Sequence, residues 1–419
     1  MLAVFDLNDS AIGHGSSADN WQHSPGFARL ADGGIVTGEA ARSRAWLNPQ
    51  QSFQQYWQQL NLTPLAVHTN SARHHADLAY AQLQQLHKDS GEPGQVILAV
   101  PGSFNREQLG LLLGLAKALP FEAVGLVDSA LAAVSTQPPT GTALHLDIQQ
   151  HQSLITRLDK RGELCSVDHE AVSNLGLKQL LDHWAHQVAD QFISQYRYDP
   201  LHTAEGEQQL YDQLPHWLAS LQREPQVAVS LKSGKGNFEI NLMREPLLAS
   251  AEARLKQLQQ AVEELWQNGE TLYLSHRAAQ IPGLRRRLGE HQVLASDAVL
   301  QGCLGHQQQL CSDPQSLHLI NALQVAAQAP VADTTPAPQA SHLLVGHRAL
   351  AIGEQLALRA TGSDVEPCEP EQADLVLTNN GSGLVLQTPS EVDVSAPSPL
   401  QPGAIIQLQQ HRLQLIVVD

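Results

Sequence analysis

The side chains able to do chemistry are scattered along this chain, and most of their groupings fall short of a site. His183 and His186 stand three residues apart on one expected helix and could share a metal ion, but no carboxylate or thiol is placed as a third ligand. Cys303, His306 and Cys311 are close enough in sequence to suggest zinc, yet a fourth ligand is missing and the segment reads as a helix end and loop. The neighbours His74 and His75 point to different faces of a helix. Ser233-Gly234-Lys235-Gly236 joins glycine to lysine as a phosphate loop does. Without the spaced first glycine and a helix start, it reads as a hairpin turn. Arg285-Arg286-Arg287 fans around a helix axis and reads as a solvated face. No resident metal is expected from these groups.

The elements around them are more informative, above all between Gln95 and Val134. Gln95 to Val100 is a short β-branched run that reads as a buried strand, and Pro101-Gly102 stops it. Asn105 can cap a helix, with Gln108 as its capping-box partner and Leu109, Leu112, Leu113 and Ala116 at helical spacing. Ala123 to Val127 reads as a second strand, and Asp128 opens another small-residue helix, Ser129 to Ser135. The unit is strand, helix, strand, helix.

Val100-Pro-Gly-Ser-Phe-Asn-Arg-Glu-Gln108 resembles the Val-Pro-Ala-Tyr-Phe-Asn-Asp-x-Gln segment of the seventy-kilodalton heat-shock chaperones, members of the actin-like ATPase superfamily. Val127-Asp-Ser-Ala-Leu-Ala-Ala133 is similar to that family's Asn-Glu-Pro-Thr-Ala-Ala-Ala, in the right order and spacing. Further pieces follow the same pattern. Val36 to Pro49 is similar to Val-Gly-x-x-Ala-Lys-x-x-x-x-x-Asn-Pro, Ser173 to Leu177 to Thr-His-Leu-Gly-Gly, and Thr271 to Leu284 to Ile-Val-Leu-Val-Gly-Gly-Ser-Thr-Arg-Ile-Pro-x-Ile. Asp297 to Gly302 resembles Glu-Ala-Val-Ala-x-Gly. The resemblance implies an α/β, two-lobed actin-like ATPase fold over residues 1 to 323.

It also implies where a nucleotide cleft would lie, and that cleft is degenerate. Asp6-Leu7-Asn8-Asp9-Ser10 takes the place of the family's Asp-Leu-Gly-Thr-Thr phosphate loop. Asp6 is the family's metal-holding acid, Asn8 replaces the glycine that lets backbone amides close on phosphate, and Asp9 adds negative charge. In the second loop Asp147 is kept, while Gln149, Gln150 and His151 replace three glycines and Gln152 replaces threonine. Gly176 survives of a pair whose second glycine is Leu177. The catalytic lysine falls near Trp57, whose indole cannot stabilise charge on a transferred phosphoryl group and reads as packing. His276 and Arg277 replace the glycine pair that lies against the nucleoside. Ser71 to Asp89, Leu210 to Gln222 and Leu247 to Gln267 read as helices, the last with Glu252, Arg254 and Lys256 where the family grips adenosine.

Composition bounds the rest. A chain of 419 residues needs more than one core. Its net charge of −17 argues against nucleic acid or an anionic membrane as partner. Four cysteines are too few for a disulfide scaffold, no apolar run is long enough for a membrane span, and the N-terminus has no leader pattern, so a cytoplasmic protein is expected. Residues 324 to 340 are Pro- and Ala-rich and read as a linker. From 341 to 419, short strands between Gly, Pro and Ser turns predict a small all-β, sandwich-like domain. Leu350-x-Ile352-Gly353, Asn380-Gly381 with Gly383 to Leu386, and Leu400-x-Pro402-Gly403-x-Ile405-Ile406-x-Leu408 loosely resemble a forkhead-associated domain. Glu354 stands where that family has its phosphate-reading Arg, and Arg359 is the nearby substitute for peptide binding.

The expectation is a non-catalytic, chaperone-like scaffold or adaptor without cofactor, working through protein contacts. The alternative is a slow ATPase in which Asp6, Asp128 and Asp147 hold Mg²⁺ through water and ATP binds in an altered way. A filament-forming actin relative is a third reading that no residue favours.

Overall fold

In the computed structural model, β1 (Leu2–Asp6) is buried over its last four residues because both of its faces are covered, Ala3 and Phe5 entering one core and Val4 another, and it has partners on both edges. On one side it pairs antiparallel with β2 (Ile12–Gly15), which pairs antiparallel with β3 (Gln22–Ser24). The chain then makes a small separate sheet from β4 (Ala28–Ala31), β5 (Gly34–Thr37) and β6 (Ser52–Phe53), accompanied by short helices α1 (Glu39–Arg42) and α2 (Tyr56–Gln59). After α3 (His75–Asp89), β7 (Gln95–Val100) joins the other edge of β1 in parallel. Helix α4 (Arg106–Lys117) starts as expected: the Asn105 side chain accepts from the amides of Glu107 and Gln108 at 2.9 Å each. Gln108 returns the bond to the Asn105 amide. It leads to β8 (Glu122–Asp128), parallel to β7, and α5 (Ser129–Val134).

The second half repeats this plan. β9 (Ala143–Ile148), β10 (Gln152–Arg161) and β11 (Glu163–Ser173) form an antiparallel meander. Then come α6 (Leu177–Tyr196), α7 (Ala204–Leu221), the hairpin β12 (Gln226–Ser233) and β13 (Gly236–Met243), α8 (Arg244–Ser250) and α9 (Glu252–Leu265). β14 (Thr271–Leu274) returns beside β9 in parallel, followed by α10 (His276–Ala279) and β15 (Gln292–Val293), parallel to β14. The chain continues through α11 (Ala298–Gly305), α12 (Gln307–Leu310) and β16 (Ala322–Leu323), which edges β11. The sheets therefore run β3-β2-β1-β7-β8 and β16-β11-β10-β9-β14-β15, and apart from the edge strand β16 they have the same order with the same strand senses. Helices α5 and α11 pack together in a core shared by Val4 and Ile97 of one sheet and Leu158 and Tyr273 of the other. A Cβ on Gly302 of α11 would stand 1.8 Å from the Ala132 carbonyl oxygen of α5, so glycine alone permits this approach.

Two expected helices are corrected. The helix expected from Ser71 begins at His75, because the Asp77 carboxylate accepts from the amides of Arg73 and His74 and fixes the start there. The helix expected from Leu247 to Gln267 is broken at Ala251 into α8 and α9.

The structure describes residues 1–67, 69, 72–234, 236–267, 269–312, 317–325, 341–353, 355–361, 364–379, 384–388, 394–395, 400, 403–409 and 411–416. It divides into two units, Met1–Ala327 and Gln328–Asp419. Of the expected linker, Gln324 bonds Glu163 and Val325 is buried in the first unit, while residues 326–340 lie outside the described residues. Ser71, Lys235, Glu354, Asn380, Gly381, Gly383 and Pro402 lie outside them too.

The second unit is a β-sandwich of two antiparallel sheets. One has the order β18-β17-β25-β24-β23, from β17 (His342–Val345), β18 (Arg348–Ala351), β23 (Val394–Ser395), β24 (Ile405–Leu408) and β25 (His411–Ile416). The other has the order β20-β19-β21-β22, from β19 (Gln355–Thr361), β20 (Asp364–Pro367), β21 (Leu375–Asn379) and β22 (Leu384–Gln387). Leu343, Ile406 and Leu413 of the first pack with Leu358, Leu375 and Leu377 of the second in one core. Among the described residues, no helix is long and apolar enough to cross a membrane.

Candidate functional site: an arginine between two aspartates

β1 and β9 hold equivalent positions in the two sheets, and each carries an acid at its C-terminal end, Asp6 as the last residue of β1 and Asp147 as the last but one of β9. The residue between those acids comes from a third segment. Pairing of Leu274 with Leu146, extended by a 3.0 Å bond from the Ser275 amide to the Leu146 carbonyl, sets the start of α10 beside Asp147. Arg277 on that short helix donates from Nη2 to Asp6 Oδ2 and to Asp147 Oδ2, at 2.9 Å each. Its Nε donates to Asp147 Oδ1 at 3.2 Å and its Nη1 to the Ala11 carbonyl at 3.1 Å. All three side chains are buried.

Burial works against ionisation of Asp147, yet the charge and hydrogen bonds of Arg277 hold its carboxyl well below the usual range. Asp6 goes the other way. Burial outweighs Arg277 and pushes it up, and its Oδ1 has no hydrogen-bond partner among the described residues. Arg277 itself stays charged, its pKa raised by the two acids despite burial.

Side chains fill the loops around this triad. Asn8 Nδ2 donates to Asp147 Oδ2 at 2.9 Å and to the Ile148 carbonyl at 3.1 Å. Its Oδ1 accepts from the Ser10 amide and hydroxyl at 3.0 and 2.8 Å, and Ser10 Oγ also lies 2.9 Å from the Ile148 carbonyl. Asp9 accepts from the Gln150 amide at 2.7 Å, and burial raises its carboxyl to about 6 despite that bond. Across the site, the amides of Leu177 and Lys178 at the start of α6 donate to the carbonyls of Gln149 and Gln150 at 2.9 Å. Helix N-terminal amides of this kind bind anions when free; here backbone occupies them. Gly176 makes that closure possible, since a Cβ there would meet the backbone of His151 and Gln152 within 2.6 Å.

Asp6, Asn8, Asp9, Ser10, Asp147, Gln149, Gln150, Gly176 and Arg277 thus converge. Other expected site residues have separate roles. Trp57 is buried in the core, where its Nε1 donates 2.7 Å to Gln82 Oε1, an oxygen that the Tyr56 hydroxyl shares. The His151 ring bonds the Gln54 carbonyl at 3.0 Å. His276 packs against His23 with ring centroids 5.1 Å apart, and burial and Arg277 lower its pKa to about 3. Asp128 caps α5 through the Leu131 amide and faces His169 Nε2 at 3.3 Å. In the second unit, Arg359 reaches Gln372 Oε1 at 3.4 Å. His183 bonds the Ser250 carbonyl and His186 that of Asp182.

Three further residues around these loops and strands escaped the sequence reading. His169 becomes visible only through the register that sets it opposite Thr156, whose hydroxyl is 3.2 Å from its ring. Gln82 carries no motif. His145 is buried in β9 with both ring nitrogens unbonded among the described residues, and burial lowers its pKa to about 4. A cavity of about 350 Å³ opens beside the loops, bounded by Asp9, Trp57, Gln58, Ser103, Gln149 and His169. Among the described residues, no lysine or arginine lines it. The site therefore holds buried acids, amides and one cation already engaged. It can bind hydrogen-bonding groups but, among the described residues, offers no lysine or arginine to a phosphate.

No family model matches the chain, and no curated protein matches it.

Proposed function

We propose that residues 1–323 are a degenerate form of the heat-shock chaperone ATPase region, in an actin-like two-lobed fold, that acts as a non-catalytic scaffold or adaptor through protein contacts. The proposal extends to a cytoplasmic protein whose second unit, a sandwich resembling forkhead-associated domains, is a protein-binding module. Support for the fold comes from two sheets whose first five strands share one order and set of senses, with an acid, Asp6 or Asp147, at the C-terminal end of β1 and of β9.

The observation that carries the functional reading is the Arg277 guanidinium between Asp6 and Asp147. In the resembled family these acids serve a hydrated metal ion beside the phosphates. A buried guanidinium bonded to both neutralises them from within, so a divalent ion would have to displace an ion pair that its own burial has made hard to break. Phosphoryl transfer relies on positioning and charge stabilisation. The loop amides at α6 are engaged and the adjacent cavity has no cation among the described residues, so neither is on offer.

Titration calorimetry of the full chain with Mg-ATP tests this reading. The expected result is no saturable heat and no phosphate release. Tight binding with turnover would establish the slow-ATPase alternative instead.

A further inference from the structure

We infer that a groove between α7, α8 and the segment after α10 is a docking site for an acidic peptide segment bearing a branched aliphatic side chain, supplied by a partner protein. The inference deepens the proposed scaffold role by giving the partner a chemistry. The groove encloses about 350 Å³, with Leu221, Leu247 and Ile281 among its apolar lining. Arg244, Arg285 and Arg286 line it as well, and no carboxylate does among the described residues.

Charge identifies the occupant. Arg244 lies 3.3 Å from Glu245, and Arg287 is paired with Glu252. Arg285 meets only the His291 ring, at 3.3 Å, and neither it nor Arg286 has a carboxylate partner among the described residues. Both are exposed, so their charges are available at the mouth of the groove. In a chain of net charge −17, two adjacent unpaired guanidinia over an apolar lining are a local exception. Arginine is suited to carboxylates because its planar fork donates two parallel hydrogen bonds. Arg285 and Arg286 are consecutive and carry two unpaired charges among the described residues, one more than the single terminal carboxylate of a fatty acid neutralises. A peptide with spaced Asp or Glu side chains reaches both while its aliphatic anchor enters the apolar part. The groove is at the small end of ligand pockets, roughly 300–1,000 Å³, which suits one such anchor.

A fluorescein-labelled Asp-Leu-Glu-Glu-Leu peptide, titrated with the full chain and followed by anisotropy, tests this. Saturable binding is expected, weakened at least tenfold by the exposed double substitution Arg285→Glu, Arg286→Glu, by Gln and Asn in place of the peptide's acids, and by raised salt. Equal binding to the double variant, equal binding of the neutral peptide, or no binding to the wild-type chain would each overturn the proposal. So would complete displacement of the peptide by decanoate or ADP at lower concentration than by unlabelled peptide. Arg285 and Arg286 make no bond to Asp6, Asp147 or Arg277, so peptide binding can fail while the Mg-ATP result stands, and the reverse.

Discussion

Asn8 and Asp147 are 139 residues apart in sequence and 2.9 Å apart in space, joined by a hydrogen bond from the Asn8 carboxamide to the same carboxylate oxygen that Arg277 holds. Through it the loop after β1 is fastened to the end of β9 and, by the shared oxygen, to α10. A backbone approach that would suit a phosphate is closed by a side chain that suits a carboxylate.

The triad predicts an unusual chemical rescue. Arg277→Ala leaves two buried carboxylates uncompensated and should cost about 3–5 kcal/mol of stability. Millimolar guanidinium or Mg²⁺ should raise the melting temperature of this variant and leave the wild type unmoved. Adding Asp147→Asn to Arg277→Ala should recover part of the loss. Thermal melts of the wild type and the two variants, with and without each cation, decide the point, and equal response of wild type and variant would count against an internal cation.

Asp9 predicts a pH-dependent gain. Its folded carboxyl is raised from 3.8 to about 6, so its contribution to stability is present below the unfolded value and lost as pH rises through 6. Asp9→Asn keeps an oxygen for the Gln150 amide and removes the titration. The variant should therefore be more stable than wild type at pH 7.5 by about 1–3 kcal/mol, since each tenfold change in proton affinity is worth roughly 1.4 kcal/mol, and should lose that advantage by pH 4. Urea unfolding at the two pH values measures it.

His145 carries the opposite sign. Its folded pKa, lowered from 6.5 to about 4, means that its contribution is full above 6.5 and is lost as pH falls toward 4. Neither ring nitrogen has a partner to lose among the described residues. His145→Phe should match wild type near pH 8 and exceed it at pH 5 by about 1–2 kcal/mol. A constant difference across that range in thermal melts would refute the assignment.

Glycine positions separate close packing from chain flexibility. Gly302→Ala forces a Cβ to 1.8 Å from the Ala132 carbonyl oxygen, and Gly176→Ala to 2.4 Å from the Gln152 amide nitrogen. Each should destabilise by about 1–3 kcal/mol or more, because backbone rather than a mobile side chain must yield. Gly141→Ala, with nothing within 4 Å, should stay within about 1 kcal/mol of wild type. Denaturant midpoints for the three variants provide the comparison.

Much of the architecture was written locally. The apolar run Gln95–Val100, the Asn105–Gln108 cap of α4, the hairpin turn at Ser233–Gly236 and the change of character after the Pro- and Ala-rich segment follow from side-chain period, capping chemistry and turn residues. These depend on neighbours within a few residues, so spacing alone reveals them. Start points set by one side chain, such as Asp77 at α3, and breaks such as Ala251 needed the folded chain.

The site lay beyond that reach. Asp6, Asp147 and Arg277 could each be noted in sequence, the arginine only as bulk in a space the resembled family keeps open. That its guanidinium would turn to both acids was decided by the parallel pairing of β14 with β9, which spans more than a hundred residues and sets where α10 begins. Residue type fixes what a side chain can bond; the register of distant strands fixes which partner it meets, and a buried charge then accepts no arrangement that leaves it unpaired.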